Sequence, residues 1–169
     1  MFQEKQYFRQ LWVILLFLGL NLFFLYGVIQ QIIFGDPFGS NPASDFMLIV
    51  IWLFIMAFTW FFMIMSLKTQ IDEAGIWFSF FPFLSNPRQV KWEEISSLNL
   101  RTCKPLQEFG GWGLRYGAKG IRAYTTSGRH GLEIHTHDGR KIFLGTQRPN
   151  EIESIVEDLK KDYLFSIVE

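Results

Sequence analysis

Two long uncharged stretches give way, after residue 67, to short alternating runs, and this change of pattern divides the chain. Between Arg9 and Asp36 lie 26 residues without a formal charge, and between Asp45 and Lys68 lie 22 more. A bilayer core about 30 Å thick takes roughly 20 apolar residues of helix rising about 1.5 Å each. Both stretches meet that length. They predict a two-helix transmembrane hairpin over residues 1–67, with spans at about 11–33 and 46–66. The first run exceeds the about 7–15 apolar residues of a signal peptide, and no small-x-small site precedes the second, so it reads as an uncleaved anchor.

From residue 68 the expected domain is mainly β. Ser66–Asp72 and Ile76–Phe83 read as strands joined at Glu73-Ala74-Gly75, and Val90–Leu100 holds a third and part of a fourth, with Trp92 and Ile95 in the core. A glycine-rich passage follows from Phe109 to Gly117. Ile121–Thr125, Leu132–His137 and Lys141–Leu144 are the last strands, the final pair turned by Asp138-Gly139. Pro149 then opens a helix whose Ile152, Ile155, Val156, Leu159 and Tyr163 form an apolar stripe. Without crossover helices between strands, the order predicts an antiparallel half-barrel of about seven strands closed by a C-terminal amphipathic helix.

The run Leu67-Lys68-Thr69-Gln70-Ile71-Asp72, then Gly75-Ile76 and Trp92-Glu93-Glu94-Ile95, resembles the membrane-anchored bacterial pleckstrin-homology-like (PH-like) domains. Gly128, Gly131-Leu132-Glu133-Ile134, Asp138-Gly139-Arg140-Lys141, Gly145-Thr146-Gln147 and Pro149 are similar to a subgroup in which a Gly-Thr turn leads into the closing helix. The resemblance covers about residues 66–163. It implies a PH-like barrel in a cytoplasmic domain over 68–169, serving binding, assembly or regulation, with no shared enzymatic activity. Eukaryotic lipid-binding relatives of that fold carry basic residues at the first hairpin. Here that turn is Asp72-Glu73-Ala74-Gly75, so no phosphoinositide pocket is expected there.

Charge orients the hairpin. Lys5 and Arg9 precede the first span, Lys68, Arg88 and Lys91 follow the second, and the connection from Phe34 to Ser44 has no Lys or Arg. The positive-inside rule then puts both termini in the cytoplasm, as in a multi-pass protein of a bacterial inner membrane. Neither span contains an ionisable residue to carry a substrate or proton path. Asn21, midway along the first, is read as a helix–helix hydrogen bond.

The overall net charge of zero hides an asymmetry. Arg101 to Arg148 holds nine Lys/Arg against Glu108, Glu133 and Asp138, an excess of +6, while Pro149 to Glu169 holds six acids against Lys160 and Lys161. Lys104, Arg115, Lys119, Arg122, Arg129 and Arg140 are the candidate binders of anionic lipid or a partner. Trp77, Phe81, Phe83 and Leu84 exceed what one core face needs and are candidates for the membrane interface or partner docking.

Other chemistries lack support. Cys103 stands alone, which excludes an intrachain disulfide. His130, His135 and His137 read as a solvated strand face, and the glycine-rich passage lacks the Lys-Ser/Thr of a phosphate-binding loop. No catalytic motif, cofactor or metal is expected. The expected partners are the bilayer and either a membrane protein or further copies of this chain; nucleic acid is not expected. The resulting expectation is a non-enzymatic subunit or scaffold of a bacterial membrane assembly, the alternative being a sensor of anionic lipid or peptide.

Overall fold

The structure, a computed structural model, describes residues 1–117 and 120–163. It consists of two compact units, Arg9–Ile64 and a second formed by Met1–Phe8 with Met65 onward.

The first unit is a helical pair. Helix α1 (Leu11–Val28) continues as a π-helical turn over Ile29–Ile33, and α2 spans Asp45–Ile64. Both are long and apolar enough to cross a membrane. Only Val13 and Gly27 of α1 and Leu48 of α2 are buried, unlike the helices of a water-soluble core. The second helix stops two residues short of the expected 66, because Ser66 joins a strand ladder instead. Asn21 Nδ2 donates to Thr59 Oγ1 across the pair at 2.9 Å, the interhelical bond its position predicts. Replacing Asn21 with leucine is expected to weaken helix association by about 1 kcal/mol or less in a reconstituted-bilayer equilibrium. A loss several times larger would mean that the amide has another role.

The connecting loop is closed by Gln31. Its amide donates to Asp45 Oδ1 at 2.7 Å and to the Ala43 carbonyl at 2.8 Å. Phe38 folds back over Gly27, where an added Cβ would meet the ring at 2.7 Å.

The second unit holds nine strands in two sheets, among the described residues. β1 (Phe2–Tyr7), β2 (Ser66–Asp72), β3 (Gly75–Phe81) and β4 (Leu84–Val90) form an antiparallel meander in chain order. β1 differs from the sequence reading, which assigns residues 1–10 to the hairpin. β4 runs through Asn86 and Pro87, residue types that usually interrupt a strand. It lies at the sheet edge, where a missing N–H breaks no inner ladder.

A short 3₁₀ turn at Trp92–Glu94 leads to β5 (Ile95–Thr102), then α3 (Pro105–Phe109) and β6 (Gly113–Tyr116). β7 (Ile121–Thr125), β8 (His130–Thr136), β9 (Lys141–Thr146) and α4 (Pro149–Tyr163) complete the chain. The second sheet has the order β5-β8-β9-β7-β6.

Where an antiparallel half-barrel of about seven strands is expected, the described residues hold nine strands in two sheets with one parallel pair. β9 inserts between β7 and β8, which run in opposite directions, so it must be parallel to one of them; it pairs parallel with β7. The sheets do not close into a barrel.

Alternation assigns the faces. Leu67, Ile76, Phe78 and Phe80 of the first sheet are buried, and Tyr124 of β7 packs on the Phe78 and Phe80 rings at 5.0 and 6.3 Å. Leu132, Ile134 and Leu144 are buried in the second sheet. On the side of β7 opposite Tyr124, Ile121 and Ala123 join Cys103, Phe109 and Phe143 in a smaller core. Burial pushes the Cys103 thiol up to about 11. Ile152 and Val156 bury the stripe of α4, while the Tyr163 side chain lies outside those described.

β7 crosses the first sheet steeply. Arg122 lines a cavity with Arg88 of edge strand β4, while Thr126, just past the other end of β7, bonds to Gln6 of the opposite edge β1. Four residues at about 3.3 Å each match the width of four strands at about 4.8 Å spacing.

β1 is fastened from inside the unit. Glu4 accepts bonds from Thr146 Oγ1 at 2.8 Å and Gln147 N at 2.9 Å. Gln6 donates to the Gly145 carbonyl at 2.7 Å and accepts from Thr126 Oγ1 at 2.9 Å.

Candidate functional site

Four cations meet around a cavity of about 260 Å³ where β4 approaches the starts of β7 and β9. Arg88 comes from β4, Arg122 from β7, Arg140 from the β8–β9 turn and Lys141 from the first position of β9. Phe78, Val90, Tyr124 and Ile142 supply the apolar wall.

Local folding explains the convergence. In β7, Ala123 faces the Phe109–Phe143 core, so Arg122 and Tyr124 point the other way. The turn before β9 is held by Gly139 N donating to the Thr136 carbonyl at 3.0 Å, with Gly139 at φ +84°, a backbone conformation that glycine adopts without strain. Thr136 Oγ1 also bonds Asp138, holding its carboxyl below the usual carboxylate value, with Arg140 lowering it further.

The charges are not equivalent. Arg140 is engaged by Glu94 at 2.8 Å and Asp138 at 2.6 Å, and its pKa rises through those bonds. Arg88, Arg122 and Lys141 make no ion pair among the described residues. Arg122 lies over the Tyr116 ring at 5.6 Å. Burial raises the Tyr124 hydroxyl pKa, outweighing the downward pull of Arg88 and Arg122, so the phenol stays a neutral donor. Two guanidinium forks, an ammonium and a phenol suit an oxyanion such as a carboxylate or phosphate.

The structure therefore brings together Arg122 and Arg140 of the candidates read from sequence. It adds Arg88 and Lys141, whose only sequence signal is their charge. Lys104, Arg115 and Arg129 do not line this cavity. Arg115 sits on β6 and donates to the Trp112 carbonyl at 3.2 Å; Lys104 precedes α3, its backbone N–H donating to Glu108 at 2.7 Å; Arg129 lies before β8, its carbonyl accepting from Cys103 N at 2.6 Å. Lys119 lies outside the described residues.

The aromatic candidates also separate. Trp77 is half-buried on the first sheet and donates to Asp72 at 3.3 Å. Phe81 and Phe83 are exposed at the β3–β4 turn, where the Phe83 ring stacks on Phe80 at 6.4 Å; Leu84 beside them is half-buried. His130 contacts Thr102 at 3.3 Å, His135 contacts Glu133 at 2.7 Å, and His137 is exposed.

Comparison with protein-family models, curated proteins and solved structures finds no match to this chain.

Proposed function

We propose that this chain is a non-enzymatic recognition subunit of a bacterial membrane assembly, with a PH-like domain tethered at the cytoplasmic face of the inner membrane by two spans. Its basic cleft holds an acidic segment of a partner protein. The observation that carries this reading is the set of three uncompensated cations, Arg88, Arg122 and Lys141, around one cavity. At about 260 Å³ the cavity is smaller than the roughly 300–1,000 Å³ of a small-molecule pocket, and suits one or two acidic side chains.

Two further features support the anchoring and the fold. β1 precedes α1 and pairs with β2, which follows α2, within one compact unit. A chain folded that way crosses a bilayer an even number of times, in keeping with the lysine and arginine pattern. The steep crossing of two sheets and the C-terminal helix are in keeping with PH-like kinship, from which the parallel β7–β9 pair departs.

The test is mild-detergent purification of the full-length chain from native membranes, comparing wild type with the Arg88→Glu/Arg122→Glu/Lys141→Glu variant. The substituted side chains are at least partly exposed, so the fold should survive. A stoichiometric partner recovered by wild type should fall at least tenfold with the variant. An equal partner yield from both would overturn the assignment of the cleft.

A further inference from the structure

A second cationic feature lies on the outer face of the first sheet and involves none of the cleft cations. The ladders place Lys5, Lys68 and Ser79 in one row across β1, β2 and β3. Both lysines are exposed, and residues directly opposite on one face have Cβ atoms about 4.5–5.5 Å apart. Like charges so placed repel, and neither lysine forms an ion pair among the described residues. Lys5 Nζ instead lies over the Tyr7 ring at 4.8 Å.

The lysines border a groove of about 470 Å³, shared with Gln3, Gln70 and Trp77. Gln3 and Gln70 are joined at 3.2 Å, one row farther along the sheet. In the opposite direction the next row is Tyr7, Ser66 and Phe81, and beyond it lies the turn exposing Phe81 and Phe83. Cations therefore sit one row from an apolar tip, the arrangement of a membrane–water interface.

Chain length sets an upper bound on the distance from the spans. Lys68 follows Ile64 by four residues, and Lys5 precedes Leu11 by six. At most about 3.6 Å per residue, this holds Lys68 within about 14 Å and Lys5 within about 22 Å of the helix ends, however the two units are oriented. The headgroup region, extending about 5–8 Å beyond each face of the hydrocarbon core, is within that reach.

We propose that the Lys5–Lys68 groove binds the phosphodiester headgroup of an anionic phospholipid from the leaflet entered by α1 and α2, with Phe81 and Phe83 set into the interface. The lipid phosphate removes the repulsion between the lysines, and Gln3 and Gln70 face the polar end of the headgroup. This inference rests on the transmembrane reading.

The experiment uses full-length chain reconstituted in phosphatidylcholine vesicles, with phosphatidylglycerol exchanged in stepwise and Trp77-sensitive fluorescence or lipid retained after purification as the readout. Wild type should prefer phosphatidylglycerol by roughly thirtyfold, given two lysines near an anionic surface. Lys5→Gln/Lys68→Gln should lose that preference yet remain folded, while Arg115→Gln/Arg129→Gln retains it. No preference in wild type, an undiminished preference in the lysine variant, or equal loss in the arginine variant would overturn the groove. Inorganic phosphate is expected to compete poorly, and competition as strong as that of the lipid would reassign the site to a free anion. Carbonate extraction of the same membranes tests the spans separately: release of the chain would refute the transmembrane reading itself.

Discussion

Replacing Gln6 with alanine is expected to destabilise the β unit by about 3–5 kcal/mol, although the residue lies near the end of the chain on an edge strand. The Gln6 side chain is 2% exposed, with its donor committed to the Gly145 carbonyl and its acceptor to Thr126 Oγ1. Alanine removes both partners at once. Each buried hydrogen bond lost costs about 0.5–1.5 kcal/mol, and the lost side-chain volume adds about 2 kcal/mol or more. Ordinary domains have only about 5–15 kcal/mol in total, so the change is large. Gln3→Ala is the control, because that side chain is exposed and should matter by about 0.5 kcal/mol or less. Urea unfolding of the full-length chain in detergent, with hydrogen exchange at β9, measures both. Equal losses for the two variants would show that β1 is not fastened through Gln6.

Arg101→Met should cost about 2 kcal/mol at neutral pH, and this deficit should shrink in acid. Arg101 binds Glu108 at 2.8 Å, contacts Glu133 through Nε, and lies over the Phe143 ring at 5.0 Å. Burial alone would raise the Glu133 pKa, but bonds from Arg101 and His135 outweigh it and leave it lowered; Glu108 is lowered too, by its bonds from Lys104 and Arg101. A carboxylate depressed on folding contributes stability that is present above its unfolded value and lost as pH falls through the folded one. The gap between wild type and Arg101→Met should therefore be full at about pH 7 and close below the ordinary carboxylate value of 4.5. Denaturation midpoints from pH 7 to 3 provide the check, and a constant gap would assign the loss to the Phe143 contact instead.

The elements that were legible in the sequence share one property: their pattern is set by their own apolar alternation. The β2–β3 hairpin, the β8–β9 turn at Asp138-Gly139 and the helix from Pro149 lie close to their expected places. β1 gave no such signal, because Glu4 and Gln6 occupy its inward face and are satisfied by residues about 140 positions away. β6 was hidden in the glycine-rich stretch and α3 lies just before it, where order comes from packing, with Phe109 buried and Trp112 donating to the Gly128 carbonyl at 3.0 Å. β4 was obscured by Pro87, tolerated only because the strand is an edge.

Of the candidate site, charge was legible and convergence was not. Arg122 and Arg140 stood among six similar cations, and nothing local distinguished them from Arg115 or Arg129. Arg88 and Lys141 could be joined to them only once β9 had inserted beside β7 and the second sheet had crossed the first. The sequence by itself determined two helices of membrane-crossing length, a β-rich remainder and an amphipathic C-terminal helix, since length and local periodicity suffice for each. Tertiary structure alone decided which charges meet. Lys5 opposes Lys68, and Arg88 joins Arg122 and Lys141, because strand pairing and sheet crossing act over separations at which local sequence exerts no constraint.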